Sequence, residues 1–154
     1  MLDGNRRRQR CLGALAIATM AVLLATQAAG RDTTVEISAH EVAQSSRGRK
    51  FLLDVPFWMK GEPREHEGEP LKTSSVTRTS SAVMRTDRAA CTSAFLDALK
   101  VLQQKALDAG GNAVVDVVSI TQDVETESAQ TFRCVAGATV ARVGLRATLV
   151  RLPE

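Results

Sequence analysis

From Arg88 onward the apolar positions fall at Cys91, Ala94, Phe95, Ala98, Leu99, Leu102 and Ala106. That is the three-and-four spacing of a single helix face. Thr86 or Asp87 supplies the N-cap and Gly110-Gly111 the stop, so one long amphipathic helix is predicted over about residues 87–109. Asn112 to Ile120 carries apolar residues on both parities, the pattern of a central strand covered on both faces. Thr131 to Leu152 alternates instead. Phe132, Cys134 and Ala136 are the apolar set on even numbers, then Ala141, Val143, Leu145, Ala147 and Leu149 on odd ones, with Arg142 and Arg146 pointing the other way. A period-two pattern that slips by one residue needs a bulge or a turn, and a bulge or sharp break is predicted at Ala136-Gly137-Ala138, with Gly137 as the bulge residue.

The earlier half of the chain is less regular. Phe51 to Met59 reads as a strand with Phe51, Leu53, Val55, Phe57 and Met59 on one face, and Pro56 confines it to an edge or a bulge. Val35 to Ile37 reads as a short strand and Ser38 to Ala43 as one capped helical turn. Gly61 to Pro70, with its Pro, Gly and Glu residues, is a loop; Leu71 to Ala82 is an edge strand fading into a linker; Thr121 to Gln130 is an acidic hairpin connection. Together these elements predict an α+β fold, one helix on a mainly antiparallel sheet of four to five strands.

The first thirty residues follow a different logic. Arg6, Arg7, Arg8 and Arg10 precede an apolar run from Cys11 to Ala25, which ends in Thr26-Gln27-Ala28-Ala29-Gly30. A basic segment, a short apolar one and small residues at its end form the pattern of a secretory signal peptide, too short for a transmembrane helix. Cleavage is expected after Ala28, with Gly30 as the second choice. The organisation is then a leader over 1–28, a polar N-terminal segment over 29–50 and a single α+β domain over 51–154. Export also changes the meaning of the cysteines. Cys11 departs with the leader, which leaves Cys91 and Cys134 as a pair in an oxidising compartment, where a disulfide between them is expected. Two cysteines are too few for a structural zinc site.

Charge narrows the function further. The chain has 20 Lys+Arg against 17 Asp+Glu, and the residues after the leader balance at 16 of each. A neutral mature chain has no electrostatic footprint for nucleic acid, and aromatics at 3% with no Tyr offer few stacking platforms. Glu65, His66 and Glu67 are the only grouping with metal-ligand chemistry, on a loop that would pay ordering entropy to use it, so no metal or other cofactor is expected. Asp116, mid-strand between valines, reads as a hydrogen-bonded or solvent-facing structural carboxylate. No nucleophile, base and orienter converge in sequence, and no enzyme activity is expected.

Several short motifs carry a resemblance: Cys91-Thr-Ser-Ala-Phe-Leu-Asp-Ala-Leu-Lys-Val-Leu-Gln, Gly111-Asn-Ala-Val-Val-Asp, Phe132-Arg-Cys134-Val-Ala-Gly-Ala, Val143-Gly-Leu-Arg and Leu149-Val-Arg-Leu. In order and spacing they resemble a family of short exported bacterial proteins often labelled "excinuclease ATPase subunit". They are more distantly similar to the sensor lipoprotein of the Rcs envelope-stress pathway and to YbjQ-like domains. The likeness covers about residues 87–152 and implies the fold, export and the cysteine pair. Thr121-Gln122-Asp123-Val124 stands where those relatives carry a basic, Tyr-bearing stretch. The label would require a glycine-rich loop ending in Lys-Ser or Lys-Thr to cradle phosphates, and Gly110-Gly111 leads into Asn112-Ala113 instead. The expectation is a periplasmic or secreted, non-catalytic interaction or stress-sensing module, with an envelope protein as partner, no nucleic acid, no membrane span after leader removal, and self-association left open. The alternatives are a nucleotide- or DNA-linked factor, as the label has it, or a metal- or thiol-handling periplasmic protein.

Overall fold

The computed structural model describes residues 30–153, so the leader expected over 1–28 and cleavage after Ala28 lie outside the described residues, and Gly30 is the first of them. Ten elements follow in order: β1 (Thr33–Ser38), α1 (Ala39–Gln44), α2 (Ser46–Phe51), β2 (Phe57–Met59), β3 (Glu69–Ser81), α3 (Asp87–Asp108), β4 (Ala113–Thr121), β5 (Val124–Thr126), β6 (Thr131–Ala136) and β7 (Val140–Arg151). The architecture is α+β, with one long helix on a mixed sheet. The sheet has seven strands rather than four or five, and β2 runs parallel to β4 while every other pair is antiparallel. β5, three residues long, lies inside the segment expected to be a hairpin connection, and β2 is the three-residue part of the expected Phe51 to Met59 strand that joins the sheet.

β1 contains the short strand expected over Val35 to Ile37, in the segment set apart as polar. β1 pairs with β6 from Thr33↔Ala136 to Ser38↔Thr131, and Ile37 is fully buried beneath it. Residues 33–51 are therefore part of the domain, and its boundary does not fall at residue 51. Ser38 caps α1 through its hydroxyl and Ser45 caps α2 the same way, so the chain turns twice within a dozen residues.

Helix α3 is capped by Thr86, whose side chain accepts from the Ala89 N–H, and Gly110 at φ +78° ends it. Every residue of the predicted stripe is buried. The buried surface is wider than the stripe, however, and includes Leu96 and Gln103. Gln103 faces the segment that was expected to be strand from Phe51 to Met59. There Phe51 closes α2, residues 52–56 run irregularly, and only Phe57–Met59 joins the sheet. Gln103 holds this stretch by accepting from Leu53 N–H (3.0 Å) and donating to Leu53 O (3.2 Å) and Val55 O (2.7 Å). A side chain thus takes the place of a ladder ahead of Pro56, whose own carbonyl accepts from the Val114 N–H (3.0 Å).

β7 is the central strand. β3 lies along one of its edges over 13 residues, without fading into a linker, and β4 and β6 share the other edge. Of the two alternatives at Gly137 the structure has the sharp break, a hairpin turn, and not the bulge. The chain reverses after Ala136, the Gly137 N–H donates to Val140 O (2.9 Å), and Ala136 faces Ala141, so even positions of β6 must face odd positions of β7. The register shifts lie elsewhere, in β4 between Val115 and Val118, in β3 between Pro70 and Lys72 and in β2 between Phe57 and Met59.

Candidate functional site

Cys91, in the first turns of α3, is bonded to Cys134 in the middle of β6, with the Cα atoms 5.8 Å apart and both residues fully buried. Beside the bridge the Phe95 and Phe132 rings stack at 3.9 Å. Phe57 meets Phe95 edge-on at 6.5 Å, and His40 stacks on Phe57 at 4.7 Å. Three of the four Phe residues therefore form one column from the disulfide to the surface, closed by an imidazole.

His40 is also the landing point of the loop between β2 and β3. Its Nε2 lies 2.9 Å from Glu62 Oε2, which accepts as well from the Met59 N–H. Further along, Arg64 reaches the sheet and donates to both carboxylate oxygens of Asp116, at 2.9 and 3.4 Å, and to Glu67 at 2.5 Å. The Arg64 side chain is only 12% exposed. Its bond to Asp116 raises the guanidinium pKa beyond the usual range, desolvation opposes this, and Glu67 adds to it. Asp116 sits at φ +54° within the β4 irregularity, which swings its carboxylate out to meet the arginine. Lys60 pairs with Glu127 on the same loop. The charged loop is thus pinned at three points.

Glu65, His66 and Glu67 are all exposed on it, and Glu67 is occupied by Arg64. Among the described residues no group of three or more His, Cys, Asp or Glu is placed to hold a metal. Arg146 pairs with Glu125 on β5, while Arg142 lines an open cleft of about 400 Å³ with Arg31, Asp32, Thr121, Gly137 and Thr139. No described helix is long and apolar enough to cross a membrane.

The other exposed feature is the free side of β3. The Ala82 N–H donates to Thr139 O at the start of β7. Successive residues of a strand address opposite edges, so the even-numbered residues turn their N–H and C=O toward β7 and the odd-numbered ones turn theirs outward. Three of these outward carbonyls carry a cationic side chain. Lys105 of α3 donates to Ser75 O (3.4 Å) and Ser74 Oγ (3.0 Å), Arg78 to Thr77 O (3.0 Å), and Arg85 to Ser81 O (3.5 Å). Arg85 is itself tied to α3 through Ala89 O and Ser93 Oγ. Neither the His40–Glu62 contact nor this cation-covered edge was foreseen from the sequence. Each joins residues from separate elements, and the only local signal was a Thr/Ser-rich stretch with basic residues inside it.

Set against protein-family models, curated proteins and solved structures, the chain matches none.

Proposed function

We propose that this chain is an exported, non-catalytic module of the bacterial envelope that works by binding a protein partner there, in an interaction or stress-sensing role. The observation that carries the reading is the β3 edge, 13 residues paired on one side only, on a sheet that a disulfide fastens to its helix. A long open edge offers main-chain groups to another chain, and a rigid sheet presents them without further ordering cost. The leader pattern of residues 1–28 and the Cys91–Cys134 bridge both support an oxidising compartment outside the cytosol.

Several groups that chemistry could use serve structure instead. His40 and Glu62 fasten α1 to the loop, Arg64 and Asp116 fasten the same loop to β4, and Gly110-Gly111 end α3. The test is to express the full chain with its leader in a bacterial host, fractionate the cells and apply a photo-crosslinker in the intact envelope. The oxidised mature protein is assayed alongside for ATP hydrolysis and salt-sensitive DNA binding. A periplasmic, partner-linked and catalytically silent protein is expected. Turnover that disappears with a point substitution in this chain, or retention in the cytosol, overturns the reading.

A further inference from the structure

We infer that the free edge of β3 takes an acidic, extended polypeptide segment as an added strand, with acids at every second position on the side facing α3. The inference rests on the reading of the chain as a binding module and names the surface and the chemistry of its partner.

The edge is asymmetric in what it offers. Among the described residues the outward amides of Thr73, Ser75, Thr77 and Thr79 have no hydrogen-bond acceptor, whereas the outward carbonyls of Ser75, Thr77 and Ser81 are covered by Lys105, Arg78 and Arg85. What faces outward is therefore a row of open N–H donors, with the carbonyls of Ser75, Thr77 and Ser81 masked by positive charge and those of Thr73 and Thr79 open. A second copy of this strand would bring the same cations against them, and lysine or arginine on an edge is a known guard against such pairing. An anionic strand is complementary on both counts. Its carbonyls accept from the open amides. Its carboxylates draw the cations off the carbonyls of Ser75, Thr77 and Ser81, which then accept from the incoming N–H groups.

The charge also lies on one side. Lys72 and Arg78 have the parity of Val76, which is buried toward the core, and Lys105 and Arg85 are held by or belong to α3. The opposite side carries Thr73, Ser75, Thr77 and Thr79 with neutral hydroxyls. Nearby acids reduce this charge without cancelling it: Asp97 shares a helical row with Ser93 and Lys105, Asp108 lines a cleft with Lys72, Ser74 and Lys105 while accepting from Gln104, and Glu69 lies at the far end of the strand beside Arg151. A partner alternating Glu or Asp with Thr or Val fits both sides, whereas one acidic on both does not.

The experiment uses the full mature, oxidised chain and a capped peptide alternating Glu with Thr, with the same peptide carrying Lys for Glu as control. Backbone amide shifts are followed by NMR and affinity by calorimetry at two salt concentrations. The acidic peptide is expected to bind, more weakly at high salt, and to move the amides of residues 73–81; the Lys peptide is expected not to bind. Thr77→Pro removes one outward N–H and no β7 ladder bond, so it folds normally and weakens binding by about tenfold. Arg78→Glu combined with Lys105→Glu abolishes binding.

Binding that Thr77→Pro leaves intact would mean attraction to charge alone and would overturn the inference. So would a dimer that Thr77→Pro dissolves, or no binding at all. A photo-crosslinker at Ser75 compared with one at Arg142 separates the two readings. Envelope capture through Arg142 and not Ser75 overturns the edge and leaves the module standing, whereas capture at no position overturns the module.

Discussion

Arg64 grips Asp116 across 52 positions of chain, at the only β4 residue whose φ is positive. The pair decides where the loop between β2 and β3 lies, and so where β3 begins. Asn tolerates a left-handed backbone as Asp does, so Asp116→Asn isolates the loss of charge. It leaves the mostly buried Arg64 with only Glu67, which is itself exposed and well hydrated. We expect a loss of about 1–2 kcal/mol in urea unfolding, below the figure for a fully buried pair because Asp116 is partly solvated. Asp116→Gly relaxes the backbone and should lose less than Asn does. Equal stability of Asp116→Asn and the parent would show that the pair contributes nothing.

Reduction of the Cys91–Cys134 bridge should destabilise the chain by about 4 kcal/mol, since the bridge closes a loop with a sequence separation of 43. The bridge lies between buried positions of α3 and β6, so its loss also loosens the Phe95–Phe132 stack beside it. Thiol labelling of the denatured, unreduced mature protein should find no free cysteine. Melting of the Cys91→Ala, Cys134→Ala double variant should show the full drop. A drop under 1 kcal/mol would mean that packing alone fixes the helix on the sheet.

Gln103 fastens an irregular stretch by three hydrogen bonds from inside the core. Gln103→Leu keeps the volume and leaves Leu53 N–H and Val55 O without partners, at a cost of about 2 kcal/mol. Hydrogen exchange reports it directly: the Leu53 amide should exchange much faster while the amides of β7 do not change. If Leu53 stays protected, some other group holds the stretch.

The same glutamine shows why one part of the fold was legible in the sequence and another was not. The α3 stripe is a property of a single element, and all seven of its positions are buried where the spacing put them. Gln103 flanks that stripe as a polar residue, and the spacing alone does not assign it to the core; its backbone partners, about 50 positions away, do. Phe51 to Met59 failed for the complementary reason. Its alternation is genuine, but Gly48 lies so close to the backbone of Val42 and Ala43 that no Cβ fits, which packs α2 against α1 and draws Phe51 into helix. At Gly137 the slip was visible but its cause was ambiguous, because a bulge and a hairpin both exchange parity. The cysteine pair was legible from the count of two cysteines that remain after the expected leader. The covered edge of β3 was not, because Lys105 and Arg85 reach it from outside the strand.

Gly144 gives a last test, of the central strand itself. It lies opposite Ile120 on β4, and a Cβ at this position would come within 2.5 Å of the Ile120 carbonyl oxygen. Its φ is not positive, so the constraint is steric and not conformational: the two strands approach more closely than a side chain allows. Gly144→Ala must push β4 and β7 apart at the last pair of their ladder, where Gly144 is buried and Ile120 partly so, and we expect about 2–3 kcal/mol of lost stability. Gly137 is the control. A Cβ there meets Val140 O at 3.2 Å, at an exposed hairpin that can open by a few tenths of an ångström, so Gly137→Ala should cost about 1 kcal/mol or less. Thermal melting of the two variants side by side should therefore place Gly144→Ala well below Gly137→Ala. The reverse order would mean that the β6–β7 turn, and not the β4–β7 contact, sets the packing of the sheet that carries the β3 edge.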